Sequence, residues 1–158
     1  MNARRSVRAA LERGDATIIG VGQGPQTVAF ARPRQAELAE SVRLLGRPHI
    51  VSPTVDSEGE RGVAIIPKLQ SPELSAALGR RYGQRSVMQG REELDTTTAT
   101  PLARYRVERV DDAKPEGFYT FLPEEELYYQ LIATSPHTRS SRAIRGYVTR
   151  RISRRRNK

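Results

Sequence analysis

The sequence predicts a single domain of the α/β or α+β class, with a mixed sheet of about four to five strands flanked by helices, plus a basic C-terminal tail. Short apolar runs typical of strands alternate along the chain with segments whose apolar residues recur at helical spacing. The chain has 158 residues, which suits one domain and an appendage. It contains no cysteine, so disulfides and thiolate metal sites are excluded.

The first half of the chain contains two predicted helices and three predicted strands. Gly14 and Gly46 follow the helices, where glycine can adopt the left-handed conformation that ends a helix. The polar stretch 56–62 predicts a turn between the second and third strands. The predicted helices span residues 3–13 and 33–45, and the predicted strands span residues 16–21, 49–52 and 63–66.

The second half begins with the clearest helix start in the sequence. Ser71 is a suitable N-cap, Pro72 occupies the first helical position, and Glu73 places a negative charge in the first turn. Residues 103–110 alternate between polar and apolar, which predicts a half-exposed strand. The other predicted elements are a strand at 86–88 and a helix at 123–132 that three glutamates open.

The net positive charge of the chain comes from residues 136–158. This segment contains no Asp or Glu, and the other 18 positive residues of the chain balance its 18 acidic residues. The whole net charge of +9 therefore belongs to the tail, and we predict a neutral domain at 1–135 and a basic tail at 136–158. The nine positive residues of the tail are Arg139, Arg142, Arg145, Arg150, Arg151, Arg154, Arg155, Arg156 and Lys158.

Such a tail predicts a polyanionic partner, and nucleic acid is the favoured one. Arginine outnumbers lysine eight to one, and its planar group can bind phosphate with two hydrogen bonds and stack on bases. The alternatives are an acidic protein or particle, a membrane surface, and a solvated tail without a partner. Ile144, Val148 and Ile152 recur every four residues, so the tail forms either a helix that docks on the domain or an arm that orders on binding.

Three further patterns are candidate sites of chemistry. The run Gly20–Pro25 follows a strand, but it has proline where a dinucleotide-binding loop needs its third glycine, so a plain turn is favoured. The histidines, His49 and His137, lack carboxylates at metal-ligand spacing. The acidic clusters 92–95 and 124–126 favour solvated helix faces over a site for Mg²⁺ or for acid–base chemistry.

The densest aromatic patch contains Phe118, Tyr119 and Phe121. These rings could stack on bases beside a basic tail. Core packing is the favoured interpretation, because the chain has only nine aromatic residues and the domain needs them.

The segment 78–87, Leu-Gly-Arg-Arg-Tyr-Gly-Gln-Arg-Ser-Val, is distinctive. It is similar to the Leu-Gly-Arg-Lys-Tyr/Phe-Gly-Gln-x-Ser/Ala-Val/Ile element of small uncharacterised bacterial and phage proteins that share a domain of unknown function. The resemblance spans roughly residues 16–122 and implies an α/β fold and a bacterial or phage source, but no activity. The chain departs from that pattern in the first strand–helix connection, which lacks the frequent Glu or Asn.

The same segment offers a candidate anion site. Gly83 can end a helix in the left-handed conformation, and Gln84 can bind exposed backbone groups at the corner that follows. Arg80, Arg81 and Arg85 then lie close enough in sequence to bind one anion, although solvated arginines are the favoured interpretation.

The favoured function is that of a non-enzymatic nucleic-acid-associated protein whose tail contacts the phosphate backbone. The first alternative is a phage virion or assembly protein whose tail contacts packaged genome or an acidic partner, and the second is a small nucleotide-binding enzyme. We expect no cofactor and no metal. No apolar run is long enough for a transmembrane helix and no secretory signal is recognised, so the expected location is the cytoplasm or a phage particle.

Overall fold

Eight strands close into an antiparallel barrel in the computed structural model, which describes residues 3–110 and 114–136. The strands are β1 (Thr17–Gly20), β2 (Ile50–Asp56), β3 (Arg61–Ile66), β4 (Ser86–Gln89), β5 (Glu92–Asp95), β6 (Pro101–Val110), β7 (Tyr119–Leu122) and β8 (Leu127–Pro136). Their order around the barrel is β1-β3-β2-β7-β8-β6-β5-β4, and β4 pairs with β1 to close it.

The predicted mixed sheet of about four to five strands is therefore wrong. Every pair of neighbouring strands is antiparallel. β1 and β2 are both antiparallel to β3, which lies between them, so they run in the same direction without pairing. A helix connects them along the chain. This is the same order as in the strand–helix–strand unit of an α/β sheet, which is why the sequence predicted that class.

Two helices pack on the outside of the barrel and a third covers one end. The helices are α1 (Ala3–Arg13), α2 (Val28–Arg43) and α3 (Pro72–Arg81). The apolar faces of α2 and α3 meet the outward side chains of β1, β3, β4 and β5, and the core between them includes Ile19, Val21, Leu38, Val42, Val63, Ile65, Leu78, Val87 and Leu94.

The two outer helices begin at side-chain caps. The Ser71 hydroxyl accepts a hydrogen bond from the Leu74 amide at 3.1 Å, which confirms the predicted start of α3. The Thr27 hydroxyl accepts from the Phe30 amide at 3.1 Å and starts α2 five residues before the predicted Pro33. The prediction placed the proline in the first turn, whereas the cap places Pro33 inside the helix.

Helix α1 covers the end of the barrel at which β7 ends and β8 begins. Val7, Ala10 and Leu11 are buried on one face of α1, which confirms the predicted helix and its apolar face. They belong to a cluster with Leu122 and Tyr129, which lie on β7 and β8. The other end of the barrel therefore carries the ends of β1, β5 and β8 and the start of β4.

The barrel interior contains a buried acidic side chain, Glu93. It is 0% exposed and pairs across the ladders with Met88 and Ala103, which are core residues. Its carboxylate oxygens accept hydrogen bonds from the Ser86 hydroxyl at 2.5 Å and the Tyr105 hydroxyl at 2.9 Å. The prediction of a solvated helix face for residues 92–95 is wrong, because this segment is β5 and its polar side chain has partners inside the barrel.

The last described strand also replaces a predicted helix. Residues 123–126 form a turn in which Glu126 adopts a left-handed φ of 53°, and β8 begins at Leu127. Leu127, Tyr129 and Leu131 are buried at a spacing of two, as a strand requires. The predicted helix at 123–132, and with it a helical setting for the three glutamates, is therefore wrong.

Close packing of α3 on β4 and β5 leads to a stability prediction. A Cβ on Gly79 would lie 2.5 Å from Val87 Cγ1 and 2.9 Å from Thr96 Cγ2, and both of these residues are buried. Gly79→Val should therefore lower the free energy of unfolding by about 3 kcal/mol through overpacking, as measured by chemical denaturation. Ala77→Val is the matched control, because Ala77 is exposed on the same helix and only the helix propensity changes, by less than about 1 kcal/mol. Equal losses in the two variants would contradict this account of the packing.

Candidate functional site

An open groove of about 570 Å³ lies at the corner where the end of α3 meets the start of β4 and the turn between β5 and β6. We call it the corner groove. Its lining includes two cationic side chains, one acidic side chain and the apolar Leu102. The lining residues are Arg80, Gly83, Gln84, Arg85, Asp95, Thr96, Thr97 and Leu102.

The corner is built by the distinctive segment 78–87. Gly83 adopts a left-handed φ of 70° directly after α3, as predicted, and so turns the chain towards β4. The Gln84 side chain is buried and donates from Nε2 to the Gly22 carbonyl oxygen at 2.8 Å. In return Gln23 Nε2 donates to the Gly83 carbonyl oxygen at 2.5 Å. Two glutamines thus fasten the corner to the loop that follows β1.

Thr96 fixes the other wall of the corner groove. Its hydroxyl donates to the Gln84 carbonyl oxygen at 2.7 Å, and its own amide donates to the Arg85 carbonyl oxygen at 3.0 Å. Sequence reasoning did not identify Thr96. The available signal was Asp95, whose Oδ1 accepts from the Thr97 amide at 2.7 Å in a side-chain-capped turn typical of Asp followed by Thr.

The structure brings together two of the three arginines of the predicted anion site. Arg80 lines the corner groove and donates from Nη1 to the Thr96 carbonyl oxygen. Arg81 points elsewhere, because its Nη1 donates to the Ser41 hydroxyl of α2 at 2.8 Å. Arg85 also lines the groove, is exposed, and has no hydrogen bond or ion pair from its side chain to another described residue.

Arg85 is therefore the member of segment 78–87 whose side chain has no assigned structural role. Leu78 and Val87 are core residues, the glycines allow packing and turning, and Ser86 binds Glu93. The Asp95 carboxylate, the acidic group in the groove, already accepts from the turn amides. A guanidinium at Arg85 is thus available to an anionic ligand.

The glycine run after β1 does not form a phosphate-binding loop. Helix α2 does open soon after it, but β1 has antiparallel neighbours on both sides, so no parallel strand–helix–strand unit exists here. The Gly24 amide donates to a carboxylate oxygen of Glu60 at 3.1 Å. A negative charge therefore occupies the position where a phosphate would have to bind.

The other predicted residues have structural settings. His49 lies beside β2, and its Nδ1 is 2.9 Å from the Arg47 carbonyl oxygen. Phe118 is buried in the barrel, whereas Tyr119 and Phe121 pack on the Tyr128 ring on the outer face of the sheet. Over residues 3–110 and 114–136, no group of three His, Asp or Glu side chains is arranged to hold a metal ion.

The described chain ends beside the corner groove. Pro136, the last residue of β8, pairs with Ala103, which follows the groove-lining Leu102. His137 and all nine positive residues of the predicted tail lie outside the described residues, and the predicted domain boundary at 135 falls at the end of this strand. The tail is thus joined to the domain at the end of the barrel that carries Arg80 and Arg85.

Comparison of the chain with protein-family models, characterised proteins and solved structures found no match. The resemblance of segment 78–87 to uncharacterised bacterial and phage proteins therefore stays a prediction. Within the part of the chain that the structure describes, no helix has the length and apolar character needed to cross a bilayer.

Tyr82, the C-cap residue of α3, provides a pH-dependent test of the contact between the end of α3 and α2. Burial raises its pKa from 10.0 to about 12, and the hydrogen bond and negative charge of Glu37 add to this effect against the opposing Arg81. The phenol donates to Glu37 Oε1 at 2.7 Å. Because the unfolded chain releases this proton near pH 10, the stabilisation is complete below pH 10 and is lost as the pH rises to about 12.

We expect Tyr82→Phe to reduce the loss of stability between pH 10 and pH 12, as followed by denaturant midpoints. A difference absorbance titration of wild type against Tyr82→Phe should give the phenolate at about pH 12. Glu37→Gln should move that transition towards 10.0, because the negative charge is removed. If Glu37→Gln leaves the pH of the phenolate transition unchanged, the contact between Tyr82 and Glu37 of α2 is contradicted.

Proposed function

We propose that this protein associates with nucleic acid without catalysing a reaction, and that its arginine-rich tail contacts the phosphate backbone. The observation that carries the proposal is the position of Pro136, the first residue of the basic segment. Pro136 pairs with Ala103, which follows the groove-lining Leu102, so the basic segment is attached at the end of the barrel that carries Arg80 and Arg85. A neutral domain that carries a segment with nine cations suits a partner that presents many phosphates along a line.

The physical basis is the release of counterions. Each phosphate neutralised by a cation frees condensed counterions, and affinity then falls steeply with salt. Arginine supplies paired N–H donors that match the oxygens of a phosphate. The groove arginines extend this surface onto the folded domain, where Arg85 is held by the backbone of a fixed corner. We propose the cytoplasm, or a phage particle assembled there, as the place of this activity.

The tail is tested first, in a full-length variant whose nine positive tail residues are replaced by glutamine. Wild-type protein should bind an oligonucleotide with an affinity that falls steeply with salt, and the variant should lose most of that dependence. The matched control replaces the eight tail arginines by lysine, which keeps the charge and should keep most of the salt dependence. Salt-sensitive binding that survives in the glutamine variant would contradict the proposal.

The groove is tested by a single substitution, Arg85→Gln. If Arg85 contacts one phosphate, the slope of log affinity against log salt should become shallower by about 0.7 for a single strand. Arg13→Gln is the matched control, since Arg13 is an exposed arginine at the α1 end of the barrel. We expect its slope to equal that of wild type. Identical slopes for Arg85→Gln and wild type would contradict a contact between Arg85 and a phosphate.

A further inference from the structure

An aromatic side chain is left exposed beside the corner. Phe30, in the first turn of α2, is 43% exposed, although the hydrophobic effect favours burial of an apolar ring. The guanidinium carbon of Arg34 lies 4.0 Å from the centre of the ring, and Arg34 Nη1 also donates to the Phe30 carbonyl oxygen at 3.3 Å. The Arg34 guanidinium thus covers one face of the ring, while part of the remaining ring surface is exposed to solvent.

A continuous surface connects this ring to the corner groove. A Cβ on Gly22 would lie 3.0 Å from Phe30 Cε1, so the ring rests on the loop after β1. The next residue, Gln23, donates to the Gly83 carbonyl oxygen at 2.5 Å, and Gly83 lines the groove with Arg85. The ring, the loop, the corner and the start of the tail therefore follow one another along the protein surface.

The charges along this surface favour an anionic ligand. Three of its exposed cations are Arg34 at the ring and Arg80 and Arg85 at the groove. The acidic side chains nearby are engaged with the protein itself. Glu37 accepts from the Tyr82 hydroxyl, Glu60 from the Gly24 amide, and Asp95 from the turn amides.

We infer that Phe30 and Arg34 form a base-stacking site for single-stranded nucleic acid whose backbone continues into the corner groove. The inference rests on the proposed function and adds the class of nucleic acid. A strand binds such a surface by stacking a base on the aromatic ring while its phosphates meet arginines. A duplex does not offer this contact, because its bases already stack on one another and only their edges are accessible.

The experiment measures binding of full-length wild type and variants to two single-stranded oligonucleotides of equal length. One is oligothymidylate, and the other has the same sugar–phosphate backbone without bases. Phe30→Leu, which keeps an apolar side chain but removes the ring, should weaken binding to oligothymidylate by about tenfold and leave binding to the base-free strand unchanged. Phe30→Tyr keeps the ring and should bind both strands as wild type does.

Leu44→Ala is the matched control for an exposed apolar side chain on the same helix, because Leu44 is 70% exposed at the C-cap of α2. It should change binding to neither strand. Equal weakening on both strands, or no weakening on either, would overturn the stacking site. A protein partner bound by Phe30, in place of a base, would give the second of these results.

The same measurements distinguish a failure of the stacking site from a failure of the proposed nucleic-acid binding. If binding is salt-sensitive and depends on the tail but Phe30→Leu is silent, the stacking site is wrong and the proposed function stands. If wild type shows no salt-sensitive binding to either strand, the proposed function fails and the stacking site fails with it. Thermal unfolding of Phe30→Leu at the wild-type temperature would show that the exposed substitution has left the fold intact.

Discussion

Closure of the barrel depends on a narrow seam between β1 and β4. Only two residue pairs join these strands, Thr17 with Gln89 and Ile18 with Met88. The Gln89 side chain reinforces the seam, since its Oε1 accepts from the Thr17 hydroxyl at 2.9 Å and from the Ser75 hydroxyl of α3 at 2.7 Å. The Thr17 hydroxyl in turn accepts from the Leu69 amide at 2.9 Å. Side chains thus replace backbone bonds that so short a ladder lacks.

The corner groove follows from this closure. Because β4 is held beside β1, the chain that leaves α3 must turn sharply at Gly83 and pass next to the loop after β1. The glutamine pair then joins the two loops, with Gln84 on Gly22 and Gln23 on Gly83. The position of Arg85 is set by backbone and by buried side chains, so its guanidinium can meet a ligand without reordering the corner.

The predictions succeeded where structure is set locally and failed where it is set by distant partners. The start of α3 was predictable because Ser71, Pro72 and Glu73 carry cap, first-turn and dipole preferences within three residues. The pairings of β1 with β4 and of β2 with β7 join segments far apart in sequence, and no periodicity encodes them. The barrel was therefore missed although most of its strands were recognised.

Two further errors have specific physical causes. Leu127 and Leu131 are four residues apart, a spacing that places side chains on one face of either a helix or a strand. Tyr129, midway between them, is also buried, and burial of every second residue is typical of a strand and not of a helix. The carboxyl group of Glu93 predicts exposure, and hydroxyl groups on other strands, those of Ser86 and Tyr105, help to make its burial tolerable.

The candidate site was predictable in part. Arg80 and Arg85 flank a helix end, so their closeness follows from local geometry. Arg81 does not line this groove, because consecutive helical residues point about 100° apart and its guanidinium reaches α2. The exposure of Phe30 could not be predicted, since it depends on how α2 lies against the barrel.

The closed sheet has a consequence for behaviour in crowded assemblies. Every strand that the structure describes has a hydrogen-bonded neighbour on both sides, so no described strand is a free edge along its whole length. Many copies gathered along one polyanion would reach a high local concentration, at which exposed strand edges template aggregation. Closure limits that template, which would help crowded copies to lie side by side without aggregating.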